Sequence, residues 1–540
     1  MSDKQYFSTW NGYHVKDTEA RAAIVLLDTG LENMNEAVMQ LDTGLENMNE
    51  AVVQLGTGLE ETKEALEQLE TMSSGYVKVF DTVSDMKAES MNKGVFVHTL
   101  GFYKMNDGGG ADYLITEIGD QIPNGASIIA LESDETLAAV LISDVANVKQ
   151  YGARADMEND DAPAFNLACA SGKDVYIPGG NYLIKNVVNV GTIGSRKIYS
   201  DARGASGAVL YLDGDAYFHV TAESTFFDSV RFIHGSLQHL NGKKAILAED
   251  LDGYDTDLYI ENCLFSWFEY PVHVKGRGLQ VHNTLFVCCG DCVVYEYIGI
   301  PDTGTMITDR IGGGRAFAVT NCRFHALYAT KTAIKIAAGS VAYNPLITNN
   351  QMDAGYGYFV YADGEVYGGV ISNNVINLAQ SISFMFRSIT KNCMIVNNSL
   401  QMWNELHSGV PHPTQMIRIE GSEADGICIR GNSFRGSKKW AVVIAALAAN
   451  NIMISDNMFD TIGLDTGSGC GPIVFTVPCN KMSVCNNVVK NRCDGVVNFI
   501  QSTGGNAMTD SVVLGNVLPD GMNIALASAL PSDQNTIQEY

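Results

Sequence analysis

Clustered basic residues, paired cysteines and long apolar runs are all missing from this 540-residue chain. Lys and Arg number 35 against 61 Asp and Glu, a formal charge of −26. A nucleic-acid binder needs concentrated Lys and Arg to displace phosphate counterions, so no nucleic-acid partner is expected. The longest apolar run, Trp440 to Ala449, is about half of the ~20 residues that cross a bilayer, and no membrane insertion is expected. The opening MSDKQYFSTWNGYHVKDTEAR lacks the apolar stretch of a secretory leader. The 12 cysteines are scattered without a paired framework, which fits folding in a reducing cytoplasm. With 46% hydrophobic and 18% charged residues the chain is foldable, and its length suits several domains or one long array.

Internal repetition is what the chain does have. Residues 27–68 read LDTGLENMNEAVMQ, LDTGLENMNEAVVQ, LGTGLEETKEALEQ, a period of two heptads. Leu27, Leu31, Met34, Val38, Leu41, Leu45, Met48, Val52, Leu55 and Leu59 alternate at spacings of three and four, the seam of a left-handed coiled coil over 16–72. Gly30, Ala37, Gly44, Ala51, Gly58 and Ala65 widen that seam, which favours three strands over two. Residues 1–15 form a tip. Residues 73–147 carry no helical repeat; Asp107-Gly108-Gly109-Gly110 beside the alternating Ala111–Ile115 reads as a turn in a small β connector, not a phosphate nest.

A second repeat begins after Val148. An apolar residue, Asn, Asp or Gly two later and a further apolar residue recur in ten copies, from Ile260-Glu-Asn262-Cys263-Leu-Phe265 to Val513-Leu-Gly515-Asn516-Val-Leu518. Copies follow at 21 to 38 residues, the mark of a solenoid whose units are short alternating strands. Asparagine suits the bend because it tolerates the left-handed αL conformation. Asn350, Asn374, Asn398, Asn432, Asn457, Asn487 and Asn516 are expected to bond coil to coil, with Cys263 and Cys322 buried at the same corner. The fold class is therefore mainly β, a parallel β-helix over 148–520, preceded by the coiled coil and connector and followed by a tail at 521–540.

Val148-Lys-Gln-Tyr151-Gly152-Ala153, Asp160-Asp161-Ala-Pro-Ala-Phe165 and Val175-Tyr176-Ile-Pro178-Gly179-Gly-Asn-Tyr182 resemble the opening of the pectate-lyase-like superfamily, in its bacteriophage tail spike and tail fibre branch. One departure is Arg154-Ala155-Asp156, where the family often has Gly-Asp-Gly. The resemblance implies a right-handed β-helix whose open end is capped by the Asp-Asp helix. It further implies a homotrimer that meets other phage tail proteins through its N-terminus. Such a protein is assembled in the host cytoplasm and carried on the virion tail. Its partner is then a bacterial surface polysaccharide, bound and often depolymerised. A non-enzymatic adhesin and a structural tail fibre are the alternatives of the same fold.

Candidate residues follow from period-two alternation after each corner. Lys335, Tyr361, Asp363, Arg387, Arg418 and Glu420 should face outward on successive coils. Asp363 and Glu420, two coils and about 9.6 Å apart, lie at the wide limit for inverting glycosidases. They are the candidate acid and base, with Arg387 between them. Lys335 or Arg387 would instead serve as base in β-elimination. Trp403, in a polar insertion with Glu405, is a candidate sugar platform. Tyr361, Lys335, Arg418 and Glu405 complete the substrate-binding set. Cys288-Cys289-Gly-Asp-Cys292 lacks a second cysteine pair nearby and reads as buried packing. No metal or other cofactor is expected. Crosslinking of segment 16–72 is expected to yield trimers; dimers alone would refute the three-strand reading.

Overall fold

The computed structural model describes the chain outside residues 1–8, 11–12, 15–17, 74–76, 192–193, 202–206, 236–241, 250–255, 298–316, 326–330, 378, 402–413, 466–469, 504–507, 526–535 and 539–540. It divides into two compact units, the first holding the N-terminal helix and the second nearly everything after Lys78.

The helix α1 spans Thr18–Ser73. The heptad seam from Leu27 to Leu59 is solvent-exposed along it. The threonine of each repeat satisfies itself: Thr29, Thr43 and Thr57 donate to the carbonyls of Val25, Met39 and Val53 at 2.9–3.0 Å. The apolar stripe is left facing solvent, and burying it requires an apolar partner surface.

In the second unit a short helix α2, Val83–Ala88, is capped by Thr82, whose hydroxyl accepts from the Asp85 amide at 3.2 Å. Strands Ala111–Glu117 and Leu137–Ile142 pair antiparallel. The Asp107 turn holds no vacant anion nest, because its own carboxylate accepts from the amides of Phe102, Tyr103, Lys104 and Gly109. Burial alone would raise that carboxyl, but the four amides outweigh it and hold it below the usual range. Gln150 donates to Gly110 O at 2.9 Å and Tyr103 to Gly152 O at 3.0 Å, which ties the connector to the first coil.

From Ala146 the chain winds through three parallel sheets of 15, 18 and 12 strands. Each coil visits the 15-stranded sheet, turns the asparagine corner into the 12-stranded sheet, and crosses to the 18-stranded sheet, as in Asp257–Glu261, Leu264–Ser266 and Tyr270–Lys275. Strand ladders run past residue 520 to Asn523–Ala525 and Thr536–Gln538. Inward side chains stack with the coils: Phe232, Phe265, Phe286 and Phe324 form a column with centroids 4.9–5.4 Å apart and nearly parallel rings. At the N-terminal end α3, Ala162–Ala170, covers the core. Asp160 rather than Asp161 accepts from its first amide, Ala162, at 3.0 Å. The buried Asp161 carboxylate instead collects the amides of Arg154, Ala155 and Leu183. Ala155 sits in the left-handed region at φ 55°, a strain that glycine would avoid.

The corner divides its labour between two residues. The first of each pair takes the left-handed bend: Asn349, Asn373, Asn397, Asp456 and Asn486 lie at φ 55–57°, and Gly431 and Gly515 at 66°. The second carries the ladder. From Asn350 to Asn516 each side-chain amide donates to the next asparagine's Oδ1 at 2.9–3.0 Å. The same Oδ1 accepts the backbone amide of the coil before it. Cys263 and Cys322 hold this position buried, and Cys322 N donates to Asn350 Oδ1 at 2.9 Å. Replacing Asn432 with Ala strands the Asn398 backbone amide, takes the side-chain bond from the Ile395 carbonyl and leaves the Asn398 side chain only its bond to Ile371 O. At ~1–3 kcal/mol for each buried unsatisfied group, Asn432→Ala should lower the denaturant midpoint by several kcal/mol equivalent. An unchanged midpoint would show that the column is decorative.

Candidate functional site

The 18-stranded sheet widens where the candidate residues lie. The central coils add a second segment to it, Glu365–Tyr367 after Tyr358–Ala362 for example, and the two fuse into single strands at Gln415–Asp425 and Trp440–Asn450. On its outer face one row runs in register through His273, Val294, Lys335, Tyr361, Met385, Arg418 and Val443. One residue past the paired inward positions Tyr295, Ile336, Ala362, Phe386 and Ile419 come Glu296, Ala337, Asp363, Arg387 and Glu420. Glu249 and Lys275, paired directly, begin that row.

Two glycines fix the carboxylates in place. A Cβ on Gly364 would lie 2.5 Å from Ser340 O, and one on Gly421, at φ +115°, would lie 2.9 Å from Arg387 O. Both let the backbone beside Asp363 and Glu420 settle onto the preceding coil.

Arg387 joins the group. Its Nη1 donates to Tyr361 Oη at 2.7 Å and to Asp363 Oδ1 at 3.2 Å, and its Nε to Glu420 Oε1 at 3.2 Å. Tyr361, then the two carboxylates, raise the guanidinium further above its usual value. Arg418 adds a 2.5 Å contact from Nε to Glu420 Oε2 and a 3.3 Å bond to Gln415. Tyr358 meets Tyr361 edge to face at 4.7 Å. With both carboxylates on one guanidinium, their separation is at most roughly 9 Å, which does not exceed the ~9.5 Å upper end of the spacing of inverting glycosidases. Five of the expected residues thus converge: Tyr361, Asp363, Arg387, Arg418 and Glu420. Lys335 sits beside Tyr361 in register but pairs with Asp291 at 3.0 Å. Trp403 and Glu405 lie outside the described residues.

Of the part of the face that precedes Lys335, sequence reasoning reaches only Asp291 and Glu296, as members of an insertion expected from Cys288 to Arg315 in the 38-residue step between copies. Glu269 pairs with Lys331 at 2.5 Å, and Asp291 accepts from Thr332 N at 2.9 Å. His273 Nε2 meets Glu296 at 2.8 Å, and Glu249 bonds Lys275 at 3.1 Å and His219 at 3.4 Å. No periodic signal in the sequence marks them as a set, because Glu269 and Asp291 lie in turns ahead of their strands. Of the stretch expected to be an insertion, Cys288–Tyr295 belongs to the coil itself. Tyr295 is buried with its hydroxyl on Arg277 O, and Cys289 and Cys292 are buried, Cys292 against Tyr356 Oη at 2.9 Å. Among the described residues no group of three or more His, Cys, Asp or Glu side chains is placed to hold a metal ion.

Residues 145–357 match the family model described as rhamnogalacturonase A/epimerase, pectate lyase-like. This stretch is a pectate-lyase-like domain. Asp363, Arg387 and Glu420 lie beyond the matched stretch. No curated protein matches the chain. Among solved structures, it is similar to the enzymatically active domain of tailspike protein 2 of bacteriophage CBA120, at 11% identity over 88% of this chain and 66% of that one, TM-score 0.41. Tailspike protein 3 of the same phage is 13% identical over 78% and 64%, TM-score 0.48. A tailspike of Acinetobacter baumannii bacteriophage Fri1, a capsular polysaccharide depolymerase, is 12% identical over 85% and 77%, TM-score 0.43. The chain spans 66%, 58% and 64% of the first three tail spikes matched.

His273 makes part of this face sensitive to pH. Burial holds its imidazole below the usual 6.5, with Glu296 opposing. The unfolded chain therefore takes up the proton first, so stability is full above about pH 6.5 and falls as pH drops through that value. Between pH 7.5 and 5.5 the native protein should lose about a degree more of melting temperature than His273→Gln; parallel curves would contradict the assignment.

Proposed function

We propose that the protein is a phage tail spike that binds a bacterial surface polysaccharide on the outer face of its 18-stranded sheet and cleaves it by inverting hydrolysis. The observation that carries this reading is the placement of Asp363 and Glu420 on either side of Arg387, two coils apart on an open face. Glu420 accepts from two guanidinium groups and is the carboxylate that activates water. Asp363 has a single contact to Arg387, and is the group free to carry a proton to the glycosidic oxygen once substrate draws Arg387 away. Tyr361, Arg418 and Lys335 orient the sugar, and Trp403 and Glu405 border it.

Three copies would assemble through the exposed α1 seam, with the N-terminal end meeting other tail proteins. The protein would be built in the host cytoplasm and displayed on the virion tail. The domain boundaries belong to the same proposal, with the β-helix carried past residue 520.

Glu420→Gln and Asp363→Asn should each lower reducing-end release from host capsule by roughly 10²–10⁴-fold while leaving capsule binding intact. Full turnover in either variant removes that residue from the reaction. Absorbance from unsaturated uronates in the native digest would replace hydrolysis by β-elimination, with Lys335 or Arg387 as base. Retained binding without any cleavage would leave an adhesin.

A further inference from the structure

A second concave site lies on a different sheet. Where the connector meets the first coils, Ser143, Val145, Asn147, Gln150, Tyr176, Tyr199 and Asp201 line a cavity of about 270 Å³. Tyr176 and Tyr199 occupy the same register position on consecutive coils, with ring centroids 5.5 Å apart and planes at 44°. The Tyr176 phenol is raised to about 12, by burial first and then by its hydrogen bond to Asp201. Two residues earlier on the next two coils, in the row of Lys197, Phe226 and Tyr259 stack at 4.2 Å and Phe226 is 39% exposed.

This combination is specific in its chemistry. Tyrosine faces offer an apolar plane to the C–H face of a pyranose, while a carboxylate and side-chain amides bond its hydroxyls in pairs. The surrounding charge then selects among saccharides. Asp174, Asp201, Asp228 and Glu261 stand near these rings against two cations, Lys173, which donates to Ser143 O, and Lys197, which already pairs with Asp228 at 2.8 Å and lies 5.1 Å over Tyr199. An excess of negative charge repels a uronate or a sulfated chain.

We propose that this cavity binds a neutral oligosaccharide, with Tyr176 and Tyr199 as the stacking platform and Asp201 and Asn147 as the hydroxyl-binding groups. The site is independent of whether the Asp363–Glu420 row is catalytic.

Saturation-transfer NMR on the full chain tests it, with maltotriose, chitotriose and mannotriose as neutral probes and trigalacturonate as the anionic comparison. At least one neutral trisaccharide should receive saturation, and Tyr199→Ala and Asp201→Ala should each reduce it by roughly fivefold or more. Asp201 is exposed, so its variant keeps the fold even where the tyrosine variant fails, and circular dichroism checks both. Transfer to none of the neutral probes, equal transfer in Asp201→Ala, or Tyr199-dependent transfer to trigalacturonate would each overturn the proposal. So would capture of a protein partner at this cavity without any saccharide binding.

Discussion

Coil-to-coil hydrogen bonding is the constraint on which everything else in this protein rests. In a solenoid each unit has only its neighbours to bury against, so an error in register at one coil moves every side chain above it. The buried asparagine column is where that register is held most strictly. Each amide there makes a bond to the next coil and one to the carbonyl of the coil before, and no water competes. Once the corner is fixed, the strand that follows starts at a set position, and residues far apart in sequence fall into one outward row. Asp363, Arg387 and Glu420 meet for this reason, although 57 residues separate the first from the last.

The same physics explains what could be read in advance. The recurring corner was legible because two demands, a left-handed bend and a buried amide, restrict the residue type at adjacent positions. Cys263 and Cys322 were legible as inward-pointing because they stand at the amide position. The reading was coarser than the structure in one respect: it gave the bend and the ladder to asparagine without separating the residue that turns from the one that bonds. Capping followed the same pattern, since Asp160 and Asp161 both looked like helix caps, whereas Asp161 is spent on the loop at Arg154 and Ala155.

The candidate row was legible only where strands follow their corners at constant length. From Lys335 to Glu420 period-two alternation found the outward residues directly. Before Lys335 the distance from corner to outward strand includes turns of different composition, so Glu269, Asp291, His273 and Glu296 gave no periodic signal. Partners were less legible still. Lys335 belongs with Asp291, which precedes it by 44 residues, because ion pairs follow the stacking direction and not the chain.

The charge of the chain gives these pairs their meaning. A protein with a formal charge of −26 would ordinarily repel an anionic glycan, yet the cations of this face stand against carboxylates one or two coils away: Lys275 with Glu249, Lys331 with Glu269, Lys335 with Asp291, Arg387 with Asp363 and Glu420. The partly exposed pairs of Arg387 contribute little to stability, on the order of 0–1 kcal/mol each, whereas Asp291 and Glu269 are far more enclosed. The cost to break the Arg387 pairs is correspondingly small. An arriving sugar that offers hydroxyls or a carboxylate can therefore take over a guanidinium contact without unfolding anything, and in doing so release the carboxylate that had been neutralised. On the proposed reading Arg387 is the pair in which that exchange matters, because the carboxylate it releases, Asp363, is the one required to carry a proton. A face that sets these weak, replaceable pairs on a rigid register is thus suited both to binding along its length and to chemistry at one point.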